Sequence, residues 1–436
     1  MSDAEQQEAD TVRRLKEARR TDALPSRRQR RIRRTLRVLL VLLVFGLLTQ
    51  LPFIYRAFEL RALRHTIHER PAARTTSDDR MFREYVGAFH VHTSLGGHST
   101  GTPAAVIRAA QANQLDFVVM TEHTEGDYDS SAMTLQGVRG GVLFIPGNET
   151  QAASGSRFLV LPGAAETGDA GKLAAADFTA REREAGRAVF AAYPAEFRDW
   201  DAAEYDGIEI YNLFTNARKA NRALLFFDGL WFYSFPELVF TRFYERPADA
   251  LAKWDELATK RPEPLAGIAG GDAHANVGIH LQLASGERLA GIQLDPYERS
   301  FRIVRMHILL RADEALTADT LLAALRTGRS FIAFDVFGDT TGFRFTAGDG
   351  AETRTMGEQI QPRGETTLRV RMPAASRVVL LRNGEKLEEA RGTEATFQAK
   401  APGAYRVEVY LDDSPLLAGK PWIISNHINV KRGTMN

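Results

Sequence analysis

The chain has 436 residues, 44% of them hydrophobic and 9% aromatic, a composition that suits a globular core and excludes a disordered chain. That length exceeds one ordinary domain and would fit a barrel of about 250 residues with a smaller module. Cysteine is absent, so disulfides and thiolate metal sites are excluded, and any metal must be held by nitrogen and oxygen.

The net charge of +1 conceals an asymmetry. Residues 1–37 contain twelve Lys/Arg against six Asp/Glu, a balance of +6, which leaves the remainder at −5. Residues 38–55 follow without a charge, close to the shortest helix that crosses a bilayer core of roughly 30 Å. A basic arm that binds nucleic acid is the alternative, but the apolar segment favours a topology signal, and no nucleic-acid partner is expected.

A cleaved signal peptide is the rival interpretation of this segment. The basic region is too long for one, and no small-x-small cleavage site follows the apolar run. We predict a basic cytoplasmic tail at 1–34, a transmembrane signal-anchor at 35–56 and a stalk at 57–81. The basic excess before the anchor places the N-terminus in the cytoplasm, which puts the rest on the periplasmic side of the plasma (inner) membrane.

Residues 82–338 alternate apolar strand-like runs with helical stretches. Thr102 should cap a helix that has Pro103 in its first turn, and residues 317–327 should form another helix. Strand–helix repetition favours a parallel α/β sheet or barrel, in which the C-terminal strand ends carry the chemistry. The expected strands are 85–91, 117–120, 142–145, 158–161, 188–192, 208–211 and 268–269.

The pattern changes to period-two alternation after about residue 340. Leu368, Val370 and Met372 alternate with arginines, and Asn383-Gly384 is a strong hairpin signal between two such strands. Residues 339–436 are therefore predicted to form a small β-sandwich.

Histidines and acidic residues collect where the apolar strands of the first region end. Five of the chain's ten histidines lie in these clusters. Imidazole and carboxylate together suit Zn²⁺, Mn²⁺ or Fe, and two such ions can generate a hydroxide nucleophile near neutral pH. For any single histidine, a hydrogen-bonded core or surface role is the alternative. The clusters comprise His90, His92 and His98, then Glu122 and His123, then Glu149, and finally Asp272 and His274.

The order H-x-H-T…H, T-(D/E)-H, G-x-E and D-x-H resembles the polymerase and histidinol phosphatase (PHP) family of metal-dependent hydrolases. It looks closest to the carbaryl hydrolase-like branch, in which a C-terminal β-sandwich follows the catalytic domain. The resemblance covers about residues 84–436 and implies a distorted (β/α)₇ barrel. It further implies that one metal is held by His90, His92, Glu149 and Asp272, and another by His98, His123 and His274, with Glu149 also able to bridge to a further ion.

The sequence departs from the family at its remaining metal site. Arg157 and Tyr193 stand where the family has histidines, so two divalent ions (Zn, Mn or Fe) are expected rather than three. Arg157 would meet an anionic substrate group, and Tyr193 would donate a proton to a leaving group. A salt-bridged arginine and a packed tyrosine are the alternatives. Glu122, where the family has Asp, is expected to orient a ligand histidine.

Two further segments leave alternatives open. Residues 97–101 match the G-x-S-x-G nucleophile elbow, which would indicate a serine hydrolase, but that motif needs a strong strand before it. Residues 226–244 hold nine aromatics. They fit a helical insertion packed on the barrel, or a segment in which Trp231 and Phe232 enter the bilayer interface or line a substrate lid.

The sequence therefore predicts a single-pass, membrane-anchored hydrolase that uses a metal-bound hydroxide, with phosphoesters as the favoured substrates. The substrate would be a small-molecule or lipid-like ester. The alternatives are a carboxylester or carbamate hydrolase at the same site, and a catalytically degenerate PHP domain that serves as a binding or scaffold module.

Overall fold

The computed structural model describes residues 3–21, 26–70, 81–124, 128–232, 236–276, 278–282, 288–293 and 295–432. Over these ranges the chain is a mixed α/β protein that divides into two compact units, Met1–Phe58 and Glu59–Asn436. The helices are α1 (Asp3–Thr21), α2 (Arg27–Glu69), α3 (Pro103–Ala112), α4 (Ser130–Met133), α5 (Ala175–Glu184), α6 (Leu213–Lys219), α7 (Arg222–Trp231), α8 (Ala248–Lys260), α9 (Tyr297–Ile303) and α10 (Ala318–Thr327).

The strands from the first polar cluster to the end of the second sheet are β1 (Phe82–Val91), β2 (Phe117–Met120), β3 (Glu122–His123), β4 (Gly137–Arg139), β5 (Val142–Ile145), β6 (Asn148–Gln151), β7 (Arg157–Leu161), β8 (Ala188–Ala192), β9 (Gly207–Asn212) and β10 (Ala266–Gly270). The later strands are β11 (Gly278–Gln282), β12 (Arg288–Gln293), β13 (Arg305–Arg311), β14 (Ser330–Ala333), β15 (Arg344–Gly348), β16 (Thr353–Thr355), β17 (Gln359–Ile360), β18 (Thr366–Arg382), β19 (Glu385–Ala399), β20 (Gly403–Tyr410), β21 (Pro421–Ser425) and β22 (Ile428–Val430).

Helix α2 contains the apolar segment and is, by length and composition, long and apolar enough to span a membrane. It runs without interruption from the basic region to Glu69, so the predicted anchor and the first part of the predicted stalk are one helix. Residues 71–80 of that stalk lie outside the described residues.

The larger sheet has 14 strands, and its main path runs β16-β15-β18-β20-β21-β14-β13-β1-β2-β5-β4. Strand β1 lies well inside this path, antiparallel to β13 and parallel to β2. It is buried along its C-terminal half, from Val86 to Val91.

The second sheet has six strands in the order β10-β9-β8-β7-β6-β3. The expected parallel pairing is found between β10 and β9, β9 and β8, and β6 and β3, but β6 pairs antiparallel with β7, and β7 with β8. Only residues 152–156 join β6 to β7. A connection that short makes a hairpin, because a parallel crossover needs about a dozen residues.

Backbone hydrogen bonds join the two sheets at the end of β1. Gly271 N donates to Phe89 O at 2.9 Å, and His92 N donates to Ala273 O at 3.0 Å. On the other side of β1, Thr121 N donates to Val91 O at 2.9 Å. The C-terminal ends of β1, β2 and β10 therefore meet at one place.

The predicted helices after Thr102 and over residues 317–327, and the predicted hairpin at Asn383-Gly384, are confirmed. The Thr102 hydroxyl accepts from Ala105 N at the start of α3, whose buried face includes Val106. Thr317 closes a capping box at α10. Asn383 and Gly384, both at positive φ, join β18 to β19 as a type I′-like turn requires.

The C-terminal strands continue the larger sheet. Strand β21 pairs with β14, with Ile332 opposite Ile424, so the antiparallel region is hydrogen-bonded to the strands that lead to β1. Glu59–Asn436 forms one compact unit. The division at residue 338 and the β-sandwich stay predictions.

The aromatic stretch 226–244 divides into two parts, and its Tyr233 and Phe235 lie outside the described residues. Phe240 and Tyr244 are buried and stack on each other with ring centroids 4.8 Å apart, and the Tyr244 ring is 4.2 Å from that of Phe334. The second part is thus core packing, whereas much of α7 in the first part is exposed.

Candidate metal centre

The end of β1 supplies two histidines to the place where the sheets meet. His90 and His92 are fully buried. Alternation along the strand would point both side chains to one face, with Val91 between them in the apolar core. The backbone departs from ideal strand geometry at His90, where φ is +64°.

Glu149 from β6 and Asp272 from just after β10 complete a four-residue group with these histidines. The Nε2 atom of His90 lies 2.9 Å from Glu149 Oε2, and His92 Nε2 lies 3.3 Å from both Glu149 Oε2 and Asp272 Oδ1. One potential ligand atom from each of the four residues lies within 4.8 Å of all the others. These are the four residues assigned to one metal by the family resemblance.

A second group of three histidines shares His92 with the first. Its members are His92, His123 and His274, and their ligand atoms also lie within 4.8 Å of one another. The His92 ring stacks on the other two at centroid distances of 4.4 and 4.3 Å. His98, predicted as a ligand here, is exposed and contacts the His123 ring edge-on at 5.2 Å, outside both groups.

Glu209, in the middle of β9, orients His90. Its Oε1 lies 2.6 Å from His90 Nδ1, and its carboxylate accepts from Asn212 Nδ2 at 3.3 Å. A carboxylate on one ring nitrogen fixes the tautomer that leaves the other nitrogen available to a metal. On His274, the carbonyl oxygen of Asp272 serves the same purpose, 2.9 Å from Nδ1.

Glu122 does not have the contacts expected of it. Its buried carboxylate accepts from Thr93 N at 2.8 Å, Thr93 Oγ1 at 2.7 Å and Thr134 Oγ1 at 2.8 Å. Among the residues that the structure describes, no hydrogen bond joins this carboxylate to a histidine. Glu122 fixes the turn after His92, and Glu209 has the histidine-orienting position.

Protonation in the centre follows from burial and from the charges that face each other. Burial, followed by the charge on His92, lowers the pKa of His123 to about 3 and that of His274 to about 4. For His90, burial opposes the charged form, but the carboxylates of Glu209 and Asp272 raise its pKa well above its ordinary value. His123 and His274 are therefore neutral at pH 7, with lone pairs available to a cation.

Three buried polar atoms indicate that the centre fits a divalent cation. Neither ring nitrogen of His92 has a hydrogen-bond partner among the described residues, and neither does Asp272 Oδ1. His92 Nε2 and Asp272 Oδ1 lie 3.3 Å apart, but they do not form a hydrogen bond. Buried polar groups are almost always partnered, and nitrogen and carboxylate oxygen are the ligands that Zn²⁺, Mn²⁺ and Fe take.

Arg157 and Tyr193 lie beside the group of four. Tyr193 donates its hydroxyl to Asp272 Oδ2 at 2.8 Å and to Glu149 Oε2 at 3.3 Å. Burial, together with the Asp272 and Glu149 charges, raises the pKa of Tyr193, so the phenol keeps its proton. The Arg157 guanidinium lies 3.6 Å from Glu149 Oε1, 4.9 Å from the centre of the Tyr193 ring, and is 39% exposed.

A cavity of about 490 Å³ opens onto this centre. It gives access to both histidine groups and brings a second arginine, Arg218 of α6, to the same space as Arg157. Its lining comprises His98, His123, Thr124, Glu149, Thr150, Gln151, Arg157, Tyr193, Phe214, Thr215, Arg218, Asp272 and His274.

The centre is held by strained backbone. His90, Tyr193 and Asp272 all have φ between +46° and +64°, a region that costs non-glycine residues about 1–3 kcal/mol each. Close packing maintains it: a Cβ on Gly270 would overlap Cβ of His90 and lie 2.9 Å from Phe89 O.

The sequence analysis missed Glu209 and Asn212. Each touches a candidate ligand, since Asn212 Nδ2 donates to Asp272 Oδ2 at 3.2 Å. The available signal was a carboxylate inside an otherwise apolar strand, which is costly to bury unless it is partnered.

The nucleophile-elbow alternative has no structural support. A 3₁₀ turn, Ser94–Gly96, precedes Ser99 where the elbow would need a strand. The Ser99 hydroxyl donates to the carbonyl oxygen of His274.

No protein-family model and no curated protein matches the chain. Among solved structures, a two-domain protein from Bacteroides vulgatus, described as containing a predicted PHP-like metal-dependent phosphoesterase, is 13% identical with a TM-score of 0.36, over 79% of this chain and 95% of that one. PsfC from Pseudomonas syringae is 16% identical with a TM-score of 0.36, over 58% and 92%. Endonuclease Q in complex with an abasic duplex is 15% identical with a TM-score of 0.23, over 30% and 43%.

A TM-score below 0.5 is too low to assign a shared fold, so the centre is interpreted from its own geometry. None of the three names a carbaryl hydrolase, and that branch stays a prediction.

Proposed function

We propose that the chain is a membrane-anchored, metal-dependent hydrolase whose favoured substrates are phosphoesters. The observation that carries the proposal is the His92 ring, whose nitrogens have no hydrogen-bond partner among the described residues and which faces Glu149 and Asp272 at 3.3 Å beneath a cavity that also contains Arg157. A site built only for stability would pair these buried groups.

The candidate ligands are His90, His92, Glu149 and Asp272 for one ion, and His92, His123 and His274 for a second. A divalent ion held there would supply Lewis acidity and lower the pKa of a bound water toward neutrality. Glu209 holds the ring of His90 in place. Tyr193 keeps its proton and can donate a hydrogen bond to a substrate oxygen beside Asp272.

Two arginines favour an anionic substrate. Arg157 and Arg218 both line the cavity, and a guanidinium matches phosphate oxygens in geometry and charge. A small-molecule or lipid-like phosphoester fits this arrangement. A neutral carboxylester or carbamate would use the same centre without engaging these charges.

The wider architecture belongs to the same proposal. The bonds that join β10 to β1, and β1 to the segment between β2 and β3, support closure of the strands into the distorted (β/α)₇ barrel. The length and composition of α2 support a plasma-membrane anchor, and the basic excess before it supports a periplasmic location for the cavity.

The decisive experiment is elemental analysis of the full chain, purified in detergent without chelator. We expect about two equivalents of Zn, Mn or Fe per chain. His92→Ala should lose both ions because His92 belongs to both groups, and it should do so without unfolding. His65→Ala is the matched control, since His65 is an exposed histidine on α2.

The outcomes separate the candidate functions. Two bound ions with turnover of phosphoesters support the proposal, and turnover of neutral esters alone selects the ester or carbamate alternative. A chain that binds no metal even after reloading would be a degenerate domain with a binding role.

A further inference from the structure

Helix α7 exposes apolar side chains and buries its acidic residue, which is the reverse of a normal surface helix. Large apolar side chains are exposed along it: Phe226 is 61% exposed, Leu230 57%, Trp231 37% and Leu224 36%. Its one acidic residue, Asp228, is buried. Helices at a protein–water surface place their charged residues outward and their apolar stripe inward.

The inversion is fixed by a specific contact. Arg242 donates to both oxygens of Asp228 at 2.7 Å, which holds that face of α7 inward and turns the apolar face outward. Because of this bidentate pair, rotation of the helix would leave a buried charge without its partner.

Basic residues lie next to the apolar face. Arg218 and Lys219 end α6, Arg222 begins α7, and all three are exposed. An apolar helix face with basic neighbours is the composition of helices that lie in the interface of an anionic bilayer.

Contacts within the larger unit connect the segment that follows α7 to Arg70, the residue directly after α2. Two residues before Arg242, the ring of Phe240 stacks on that of Phe337 with centroids 5.9 Å apart. The carbonyl oxygen of Phe337 accepts from the guanidinium of Arg70, which directly follows α2. Arg70 also donates to Asp413 at 2.6 and 2.8 Å.

The larger unit begins close in sequence to the uncharged run of residues 38–55. The uncharged run ends at Tyr55, four residues before Glu59, where the larger unit begins. Leu60 and Leu63 of α2 are buried.

We propose that α7 lies in the interface of the bilayer that holds the anchor. Phe226 and Leu230 enter the boundary between headgroups and acyl chains, and Lys219 and Arg222 contact anionic headgroups. Because α6 lines the cavity and directly precedes α7, this contact brings one cavity wall to the membrane surface. The contact rests on the membrane anchor of the proposed function, but it needs neither metal nor turnover.

The absence of cysteine makes the test direct. Phe226→Cys and Leu230→Cys, each in the full chain in vesicles with anionic lipid, would carry the only thiol for an environment-sensitive nitrobenzoxadiazole label. Val138→Cys on β4 is the matched control, because Val138 is 64% exposed and Phe226 is 61% exposed.

We expect labels at 226 and 230 to show blue-shifted emission and quenching by spin-labelled lipid, and the label at 138 to show neither. Labels that all behave like the one at 138 would overturn the proposal. A blue shift without lipid quenching would also overturn it, because another protein surface would then cover α7.

A second variant tests the basic residues. Lys219→Gln/Arg222→Gln should reduce lipid quenching of the label at 226 in anionic vesicles and leave it unchanged in zwitterionic ones. Equal quenching with and without these charges in anionic vesicles would overturn the headgroup contact.

Discussion

Arg157 has two candidate roles in the cavity, and substitutions can distinguish them. It lies 3.6 Å from Glu149 Oε1 but is partly exposed toward the cavity, so it can balance a buried carboxylate, meet a substrate anion, or do both. Its contact with the Tyr193 ring restricts the guanidinium to one side of the centre.

We expect Arg157→Ala to lower kcat/KM for a phosphoester roughly 10- to 100-fold, the loss of a charge-assisted hydrogen bond. Metal content should not change, because a guanidinium is not a ligand. Arg157→Lys should recover part of the loss by restoring the charge without its planar geometry. Parallel kinetics on a neutral ester provide the check: an equal loss there would mean that Arg157 acts only by holding Glu149.

The candidate ligand histidines other than His98 could be located from the sequence because imidazoles and carboxylates interrupt apolar runs at four strand ends, a local pattern. Glu209 could not, since nothing near it in sequence shows that His90, 119 residues earlier, needs a carboxylate on Nδ1. Glu122 was assigned by its neighbour His123, whereas the fold turns its carboxylate toward Thr93 and Thr134.

At the scale of elements, a buried charged cluster joins β1 to β13. His307 on β13 lies 2.7 Å from Glu84 Oε1 on β1 and 3.1 Å from Asp335 Oδ2. Burial alone would lower the pKa of His307, but the carboxylates of Asp335 and Glu84 raise it to about 9. The same cluster lowers the pKa of Asp335 to about 2, against the effect of its burial.

Because of this cluster, we expect the free energy of unfolding to fall as the pH rises past neutrality. The pKa of His307 is higher in the folded than in the unfolded chain, so its stabilisation is complete below about pH 6.5 and is lost as pH rises through about 9. The shift corresponds to about 3 kcal/mol. Denaturant titrations at pH 6 and pH 9.5 should show the wild type weakening more than His307→Gln, and equal pH slopes would contradict this origin.

The elements themselves were predictable where the pattern is local. The capped helices and the Asn383-Gly384 hairpin depend on residues within a few positions of each other. The pairing of β14 with β21 joins residues almost 100 positions apart, and no periodicity encodes which strand a buried edge will meet.

At the scale of the whole molecule, ion pairs join the C-terminal strands to the helices around the centre. Arg406 of β20 is 1% exposed and donates to both oxygens of Asp255 in α8 at 2.7 Å. It also donates to Glu408 at 2.6 Å, and Glu408 in turn accepts from Arg246 at 2.6 and 2.7 Å. Together with the β14–β21 pairing, this network makes Glu59–Asn436 a single unit.

We expect Arg406→Met to destabilise the whole unit by roughly 3–5 kcal/mol, because Asp255 would stay buried without the guanidinium that donates to both of its oxygens. Intrinsic fluorescence and metal release should report the same unfolding midpoint in this variant. Arg377→Met, which removes a more exposed pair with Asp412, should cost less than about 1 kcal/mol. Metal release at an unchanged midpoint would show that the C-terminal strands unfold separately.

Strand β1 also sets the order of events during synthesis. It carries His90 and His92, yet it pairs with β13, whose residues 305–311 follow more than 200 positions later, and it bonds to Ala273 between them. Contacts of such long range close late, after the loop entropy between them has been overcome. The candidate metal ligands therefore cannot assemble before Asp272 and His274 have been synthesised, so any ion would enter after more than half of the chain has been made.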